Sequence, residues 1–499
     1  MWWPIWIILA YFLVLMAHNF YRQFKVKTQE DFMVAGRRLS KKVMVFTLIC
    51  TWVGTRTFIT NAEFAWKAGW SALWLPVGAW VGIILIYLLA ARIRTFGQFT
   101  VGDILETRYG KIARIFGAAT IIIAFTTVVA LQFRAGGFVL NVVTDGKISV
   151  ELGQTITAAF VITFTALGGM IAVAYTDFPN GIIILLACCI AAPIVVIAAG
   201  GWDVAGQVLP AGHFRVFSRD FGAFPILKAT GYGLSACLLV MGIQSMYQKF
   251  YSARTPREAR IAGAFWIVGT IAVEVIAIGI AIYGAAYFWN ADPPIEPASV
   301  ILMAARHMMP RWSSWAGMLL IAAVCAVVIS TGMNYLLSPS TNVMRDIYQR
   351  FINPDATPGR MVVFQKLVVV FLGVGAWLMV FVPTIMGKSQ ISVLKYSYFA
   401  YTMYGVSITP ALIAALYWRR ATRLAGVVSI FSGAIVTLLL ELGVPLFLPQ
   451  LMIEGDPLGV PTVFPAFLVS FGSLVFITLS QPPPPDEEVE KLLPKREKK

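Results

Sequence analysis

Two kinds of side chain that can bind ligands lie inside otherwise apolar stretches of this sequence. Arg56 and Arg134 each interrupt a long apolar run, and Ser330 and Thr331 are adjacent within another. A guanidinium group presents N–H donors that can hold a carboxylate in a bidentate pair. Adjacent hydroxyl oxygens can be neutral ligands of a hard cation, or they can bond back to the carbonyl four residues earlier in a helix. The residues alone leave both interpretations of Ser330 and Thr331 open.

Membrane helices must position these side chains, because almost the whole chain is apolar. Hydrophobic residues make up 59% of the 499 residues and charged residues 13%, proportions that exclude a soluble protein of this size. A helix needs roughly 20 apolar residues to cross the hydrocarbon core of a lipid bilayer. We predict about 13 spans, numbered in chain order, at residues 3–20, 43–66, 72–92, 114–140, 154–173, 178–199, 228–248, 260–289, 314–338, 361–383, 390–418, 422–443 and 461–481.

Lys and Arg residues are distributed unequally between the two ends of these spans. Most of the 39 lie in the connections on one side, beginning with the segment 21–42. Positive charge marks the cytoplasmic side, so the N-terminus is predicted outside and the C-terminus in the cytoplasm, in a multi-pass plasma-membrane protein. The net charge of +15 then follows from topology, and no basic stripe indicates nucleic acid as a partner.

The remaining segments indicate neither a soluble domain nor an ATP site. No phosphate-binding loop is present, and all five cysteines lie inside spans. The segment 482–499 begins with four prolines and then becomes charged, which predicts a disordered cytoplasmic tail. No motif indicates an oligomeric state.

Spans 2 and 7 carry residues that favour an interruption of the helix. Span 2 holds Gly54 amid several threonines, and span 7 holds Gly242 with Gln244 two residues later. Interrupted helices at corresponding positions of two halves are typical of inverted-repeat transporters with a site at the bilayer midplane. Helix packing is the alternative reason for glycine and threonine in such spans.

Charged residues in the spans have structural interpretations as well. Arg56 could form an internal ion pair, either with Glu63 on the same helical face or with Glu274. Asp177, two residues before Pro179, is typical of an N-cap that opens span 6. A role of Asp177 in ion exit toward the cytoplasm is the alternative.

Five short segments resemble, in the same order, motifs of one transporter family. They are Asp31–Arg38 (DFMVAGRR), Gly168–Gly181 (GGMIAVAYTDFPNG), Tyr247–Ala253 followed by Glu258–Arg260, Ile329–Thr331 followed by Arg345–Tyr348, and Trp418–Thr422. Together they cover roughly residues 30–425 and resemble the sodium:solute symporter family. The resemblance implies symport by alternating access, with Na+ as the coupling ion and a small-molecule solute as its partner.

The same resemblance implies an all-α integral membrane protein with a LeuT-type, five-plus-five inverted repeat. One leading helix (1–20) would precede the repeats at 43–199 and 228–418, and two trailing helices (422–481) would follow. The family places its sodium between spans 2 and 9. By motif, the ligands would be the backbone carbonyls of Cys50, Val53 and Val327 and the hydroxyls of Ser330 and Thr331.

Four residues are candidates for the solute site. Arg56 and Arg134 could each bind a carboxylate, and Thr57 falls where some family members place a polar side chain against the substrate. Leu239 lies where the sugar-transporting branch presents polar and aromatic groups. This apolar segment argues against a polyol and, together with Arg56, favours a small organic acid or an amino acid.

Other interpretations remain open at this point. A sensor could retain the transporter fold and use binding to signal. An enzyme would need catalytic side chains clustered at one depth, and the scattered charges do not predict one. Proton coupling in place of sodium would be favoured by an acidic side chain near Ser330, and the sequence shows none beside it.

Overall fold

The computed structural model describes residues 28–96, 100–218, 221–222, 224–386, 393–490 and 492, with isolated positions before residue 28. Among these residues, 11 helical segments are long and apolar enough to cross a membrane. Span 1 falls almost wholly outside the described residues. Span 2 is divided by an interruption, and its second half runs on toward span 3 as one segment, Arg56–Ala90.

The first half of the chain is largely helical, and a kink at Gly169 (φ 55°) bends its helix Val150–Ala198. Three 3-10 turns at Ala35–Arg37, Gly69–Leu73 and Ala211–Phe214 and a π-helical turn at Arg56–Thr60 connect or extend the helices. The helices are α1 Gln29–Val34, α2 Lys41–Trp52, α3 Asn61–Ala68, α4 Trp74–Phe96, α5 Val101–Tyr109, α6 Lys111–Val143, α7 Val150–Ala198 and α8 Gly201–Val208.

The second half repeats the pattern of a broken helix followed by long helices. Its helices are α9 Pro225–Gly242, α10 Gln244–Ser252, α11 Pro256–Phe288, α12 Val300–His307, α13 Ser314–Asn342, α14 Pro358–Ile385, α15 Val393–Tyr417, α16 Arg423–Leu438, α17 Val444–Phe447, α18 Val463–Ser480 and α19 Asp486–Glu490. A π-helical segment, Val343–Ile352, continues α13, and another, Leu439–Gly443, continues α16. Strands β1 Met452–Ile453 and β2 Asp456–Pro457 form a short antiparallel hairpin.

The core of the molecule is the buried helix α13, which packs against α2, α6 and α7. Helices α14, α16 and α18 lie at the periphery, where large apolar side chains such as Phe371 (78% exposed) and Phe476 (72% exposed) point outward. Exposed apolar surface of this kind suits contact with lipid. The helix that carries Ser330 and Thr331 is therefore central, and the lipid-facing helices surround it.

Ion pairs anchor the predicted cytoplasmic end of α13. Arg114 of α6 lies 2.5 Å from Asp346 and 2.6 Å from Asp103 of α5, and it also contacts Glu106. Arg350 bonds the other oxygen of Glu106 at 2.6 Å. Burial opposes ionisation of Glu106, but the hydrogen bonds from Arg114 and Arg350 outweigh it and lower its pKa. These pairs fix α13 relative to the α5–α6 corner.

Part of the predicted disordered tail is helical. Helix α19 packs Val489 into a buried position (2% exposed). The neighbouring Glu488 carboxylate accepts two hydrogen bonds from Arg423, at 3.1 and 2.6 Å. These contacts give the start of the tail an ordered position that its composition does not predict.

Candidate functional site

The first interruption lies at the predicted position in span 2. Helix α2 ends at Trp52, and Val53 adopts an extended conformation (φ −71°, ψ 97°). At Gly54 a Cβ atom would lie 2.8 Å from the side chain of Thr331. The extended Val53 confirms the predicted interruption. Glycine occupies the next position because a larger residue would prevent this close approach to α13.

The candidate sodium ligands meet at this break. Cys50 belongs to the last turn of α2, where carbonyl oxygens have no intrahelical donor. The Thr331 hydroxyl donates to the Cys50 carbonyl at 3.1 Å. Val53 follows at the break itself, and Val327 lies one turn before Thr331 on the same face of α13. All of these residues, with Ser330, are buried.

The donor set at the break suits a hard monovalent cation. Its oxygens come from carbonyl and hydroxyl groups, which are neutral and are the ligand type that hard cations prefer. Neither candidate hydroxyl bonds back to its own helix. The Thr331 hydroxyl crosses to α2, and the Ser330 hydroxyl donates to the Asp177 carboxylate of α7. Neither Ser330 nor Thr331 therefore bonds to the carbonyl four residues earlier in its own helix, which was the alternative interpretation of this pair.

Asp177 does not cap a helix, contrary to the expectation from Pro179. Helix α7 continues through both residues after its kink at Gly169. The Asp177 carboxylate is fully buried and accepts hydrogen bonds from Thr47 of α2 and from Ser330. An acidic side chain thus does lie next to Ser330, which the sequence did not predict.

A buried lysine compensates this carboxylate. The Lys249 ammonium of α10 lies 3.5 Å from Asp177 Oδ2, and both side chains are fully shielded from solvent. Span 7 was predicted to end at residue 248, which placed Lys249 in a cytoplasmic connection. That assignment is wrong, because α10 continues through Ser252 and carries Lys249 inward.

Arg56 forms the internal ion pair with Glu274. Its Nη2 lies 2.7 Å from Glu274 Oε1, and Trp80 Nε1 donates to Oε2 at 2.6 Å. The Thr57 hydroxyl faces the same carboxylate at 3.4 Å. The alternative partner, Glu63, instead bonds Lys67 at 2.9 Å. The charge of Arg56 is therefore compensated within the protein.

Aromatic rings enclose the same guanidinium group. The Arg56 Cζ atom lies 4.8 Å from the ring centroid of Trp52 and 5.8 Å from that of Tyr401. Arg56 Nη1 donates to the Leu75 carbonyl at 3.2 Å. Within the described residues, Arg56 Nε and the Thr60 hydroxyl are buried and have no hydrogen-bond partner. These two groups are available to a ligand.

A small cavity, open on one side, lies beside this ion pair. It combines aromatic rings, hydroxyl groups and one guanidinium. Its lining residues are Arg56, Thr60, Leu75, Tyr232, Ser235, Ala236, Leu394, Ser397, Tyr398 and Tyr401. The tyrosines and serines of α9 and α15 were not predicted, since nothing local in the sequence indicates that these helices meet.

Three of the four candidate solute residues, Thr57, Arg134 and Leu239, lie outside this lining. Arg134 lies 3.8 Å from Glu151 and 3.5 Å from the Gln154 side chain, both at the start of α7. Leu239 is buried (1% exposed) where α9 packs on α15. The structure brings Arg56 and Thr57 together at the Glu274 carboxylate and places Arg134 and Leu239 elsewhere.

The second interruption lies at Ile243, which is extended (φ −61°, ψ 116°) between α9 and α10. The Tyr404 hydroxyl spans this break. It accepts from the Gln244 N–H at 3.0 Å and donates to the Gly242 carbonyl at 2.7 Å. The predicted interruption of span 7 is confirmed, and side chains of this chain satisfy its backbone groups.

Comparison with known proteins identifies relatives along most of the chain. The family model described as the sodium:solute symporter family matches residues 32–433. The chain is 23% identical over 454 residues to the high-affinity proline transporter PutP of Bacillus subtilis (strain 168), which covers 87% of this chain and 91% of that protein. It is 25% identical over 434 residues to high-affinity choline transporter 1 of Caenorhabditis elegans, which covers 82% of this chain and 71% of that protein.

A solved structure shows the same fold. The substrate-bound, outward-open state of a Na+-coupled sialic acid symporter matches with a TM-score of 0.77 and 15% sequence identity, over 96% of this chain and 98% of that one. This likeness confirms the predicted fold class of an inverted-repeat transporter. The matched proteins are transporters and not enzymes. With a family model matched over most of its length, the chain belongs to the sodium:solute symporter family.

Proposed function

We propose that this protein couples the entry of Na+ to the uptake of a small solute without net charge, an amino acid or a close analogue. Na+ would bind at the first interruption, to the carbonyls of Cys50, Val53 and Val327 and the hydroxyls of Ser330 and Thr331. The solute would bind in the cavity beside Arg56. The protein would lie in the plasma membrane with its N-terminus outside and its C-terminus in the cytoplasm.

The coupling is energetically sufficient for accumulation. One positive charge moving through about 100 mV releases ~2.3 kcal/mol, and a tenfold sodium gradient adds ~1.4 kcal/mol. Together they support roughly 500-fold accumulation of a neutral solute for each sodium ion.

The single observation that carries the solute class is the Arg56–Glu274 pair. Because Glu274 compensates the guanidinium, the cavity offers N–H donors without net positive charge. A monocarboxylate would bring an uncompensated negative charge into this buried site, at a large desolvation cost. A zwitterion brings none. Its carboxylate can accept from Arg56 Nε and the Thr60 hydroxyl, and its ammonium can lie over a tyrosine ring.

The proline transporter among the relatives supports an amino acid as the solute, but the relatives do not share one solute class. One is named for proline, one for choline and one for sialic acid, solutes of three different net charges. The charge balance of this chain's own cavity is therefore the stronger argument. The sequence favours a small organic acid as much as an amino acid, so an organic acid is the competing solute class.

Proteoliposome uptake would test the proposal. Labelled amino acids, monocarboxylates, choline and a sugar would be offered with and without an inward sodium gradient, and Thr331→Ala would be the coupling control. We expect sodium-dependent accumulation of an amino acid that is lost in Thr331→Ala. Accumulation of monocarboxylates with no amino acid transported would overturn the solute class.

Glu274→Gln provides a sharper test of the charge argument. This variant leaves Arg56 uncompensated, so the preference should move from the zwitterion toward a monocarboxylate of the same size. Glu274→Gln combined with Arg56→Gln removes both charges and is the matched control. If the ratio of the two uptake rates is the same in all three proteins, the net charge of the cavity does not select the solute.

Proton coupling is the second candidate, because the Asp177 carboxylate lies beside Ser330. Its partner Lys249 already compensates that charge, which favours sodium. An inward pH gradient without sodium, applied in the same liposomes, separates the two. Uptake driven by protons alone would replace sodium as the coupling ion.

A further inference from the structure

The Lys249 ammonium is held as a bound cation would be. Its three N–H donors face three oxygens: Thr47 Oγ1 at 2.7 Å, Asn334 Oδ1 at 2.6 Å and Asp177 Oδ2 at 3.5 Å. The side chain is fully buried. Lysine is almost never fully buried unless it is paired, so this arrangement is a built site for one positive charge.

The site around the ammonium belongs to four helices. Thr47 comes from α2, Asp177 from α7, Lys249 from α10 and Asn334 from α13. These helices include the second segment of the broken span 7 and the two helices that carry the candidate sodium ligands. The ammonium therefore lies between both broken spans and α13.

One carboxylate connects this position with the proposed sodium site. Asp177 Oδ1 accepts from the Ser330 hydroxyl, and Oδ2 faces Lys249. The Asn334 amide nitrogen also reaches Asp177 Oδ2 at 3.3 Å and donates to the Ser330 carbonyl at 2.9 Å. With Ser330 donating its proton to Asp177, the lone pairs of its oxygen are left for an ion at the break.

Without the lysine, the remaining groups would form a sodium site. A carboxylate, a hydroxyl and an amide oxygen are the ligands that a hard cation prefers, and their net charge is −1. Removal of the long side chain would also leave space for an ion and a water molecule. The lysine thus takes the position that a second sodium ion could occupy.

We propose that the Lys249 ammonium is a tethered cation that fills a second monovalent-cation site and limits the protein to one sodium ion at this junction. The proposal rests on the proposed function only through the position of Ser330. It assigns Lys249 a role in setting the number of ions bound, beyond that of an ion-pair partner.

Counting bound sodium tests this proposal directly. Equilibrium binding of ²²Na+ to the purified full-length protein in lipid nanodiscs should give one ion for the wild type and two for Lys249→Ala. Lys249→Arg, which keeps the charge, should bind one, and so should Asp177→Asn/Lys249→Ala, which removes the carboxylate. One ion in Lys249→Ala, with correct folding by size-exclusion chromatography, would overturn the proposal.

Thr331→Ala separates this proposal from the proposed sodium site. Its hydroxyl faces Cys50 and not Asp177, so Thr331→Ala should weaken the first site alone and leave it empty at sodium concentrations that just saturate the wild type. Thr331→Ala/Lys249→Ala should then bind one sodium ion, at the new site. If Thr331→Ala binds as the wild type does while Lys249→Ala still gains an ion, the location of the first site is wrong and the tethered cation stands.

Asp177→Asn provides a test that does not require Lys249→Ala alone to fold. With Lys249 kept, the uncompensated ammonium should repel sodium and weaken its apparent affinity by about tenfold or more. Adding Lys249→Ala should restore the affinity to within about threefold of the wild type. If Lys249 served only to hold the helices together, the double variant would bind sodium no better than Asp177→Asn, and the proposal would fall.

Discussion

The two interrupted helices use the same device with different chemistry. At the first break, between α2 and the turn at Arg56, the Cys50 carbonyl meets the hydroxyl of Thr331 on a separate helix. At the second, between α9 and α10, Tyr404 bonds the donor on one side of the break and the acceptor on the other. One break presents oxygens toward a helix interface, and the other is closed by a side chain.

Further contacts strengthen this contrast at the second break. The Tyr247 hydroxyl donates to the Met241 carbonyl at 3.0 Å, and the Thr409 hydroxyl donates to the Leu238 carbonyl at 2.5 Å. The carbonyls at the end of α9 are thus occupied by phenol and hydroxyl groups. A cation competing for them would have to displace several neutral hydrogen bonds in a buried place.

We infer from this contrast that a broken membrane helix is not by itself an ion site. What makes the first break suitable is the second helix that supplies hydroxyls at the same depth, and the absence of Cβ at Gly54 that lets the two approach. The second break, where Tyr404 bonds the backbone on both sides, is better explained as an anchor. Substitutions at the two breaks should therefore differ in their effect on sodium-dependent uptake.

Gly54→Val should have the largest effect. Its side chain would push against Thr331, because a Cβ there lies 2.8 Å from that residue, and would separate the break from α13. We expect sodium-dependent uptake to fall at least about 100-fold, a loss of ~2.7 kcal/mol or more. Gly279→Val is the matched control, since a Cβ at Gly279 meets no atom within 4 Å. Uptake by Gly54→Val near the wild-type rate would contradict the close approach.

Thr331→Ala should raise the sodium concentration for half-maximal uptake by about ten- to 100-fold, since it removes one of the proposed ligands while the backbone stays. Thr331→Ser keeps the hydroxyl and should remain within about threefold of the wild type. Sodium titrations of solute uptake would measure both. An equal effect of the two substitutions would assign Thr331 to packing rather than to ion binding.

Tyr404→Phe should affect stability and leave sodium affinity nearly unchanged. It removes the partner of the Gly242 carbonyl and of the Gln244 N–H, and each buried group left without a partner costs about 1–3 kcal/mol. Thermal unfolding in detergent should therefore occur at a lower temperature. The half-maximal sodium concentration should stay within about twofold of the wild type. A large loss of sodium affinity would make the second break an ion site as well.

Thr409→Val should give the smallest change. It has nearly the same shape and removes one hydrogen bond, to the Leu238 carbonyl, for a loss of about 1 kcal/mol. Thermal unfolding should shift less than in Tyr404→Phe, with transport intact. A shift greater than that of Tyr404→Phe would show that the phenol is not the main group closing the break.

The features predicted correctly from the sequence are local ones. Gly54 and Gly242 mark the two interruptions because helix-breaking residues act where they stand. Ser330 and Thr331 were singled out by the family motif, because hydroxyls in a membrane helix commonly bond back to their own helix and would not have indicated an ion site by themselves. The sodium ligands proposed for the first break came from a family motif, and the structure places most of them within one small region.

The features missed depend on contacts between distant segments. Lys249 was assigned to a connection because the apolar run ends one residue before it, and only the fold shows that four helices enclose it. Asp177 was interpreted through its neighbour Pro179, whereas its contacts come from helices far away in the chain. For Arg56, the sequence offered Glu63 and Glu274 equally. The packing of α11 beside the π-helical turn Arg56–Thr60 selects Glu274.

Sodium bound at the first break and not at the second should protect the backbone amides of the first break alone. Hydrogen–deuterium exchange of the wild-type protein in Na+ and in K+ at equal ionic strength would test it most directly, with Thr331→Ala as control. We expect Na+ to slow amide exchange in peptides covering 48–58 and to leave exchange in those covering 240–248 unchanged. In Thr331→Ala, Na+ should slow exchange in neither region. Slowed exchange at 240–248 with none at 48–58 would place sodium at the second break and contradict binding at the first.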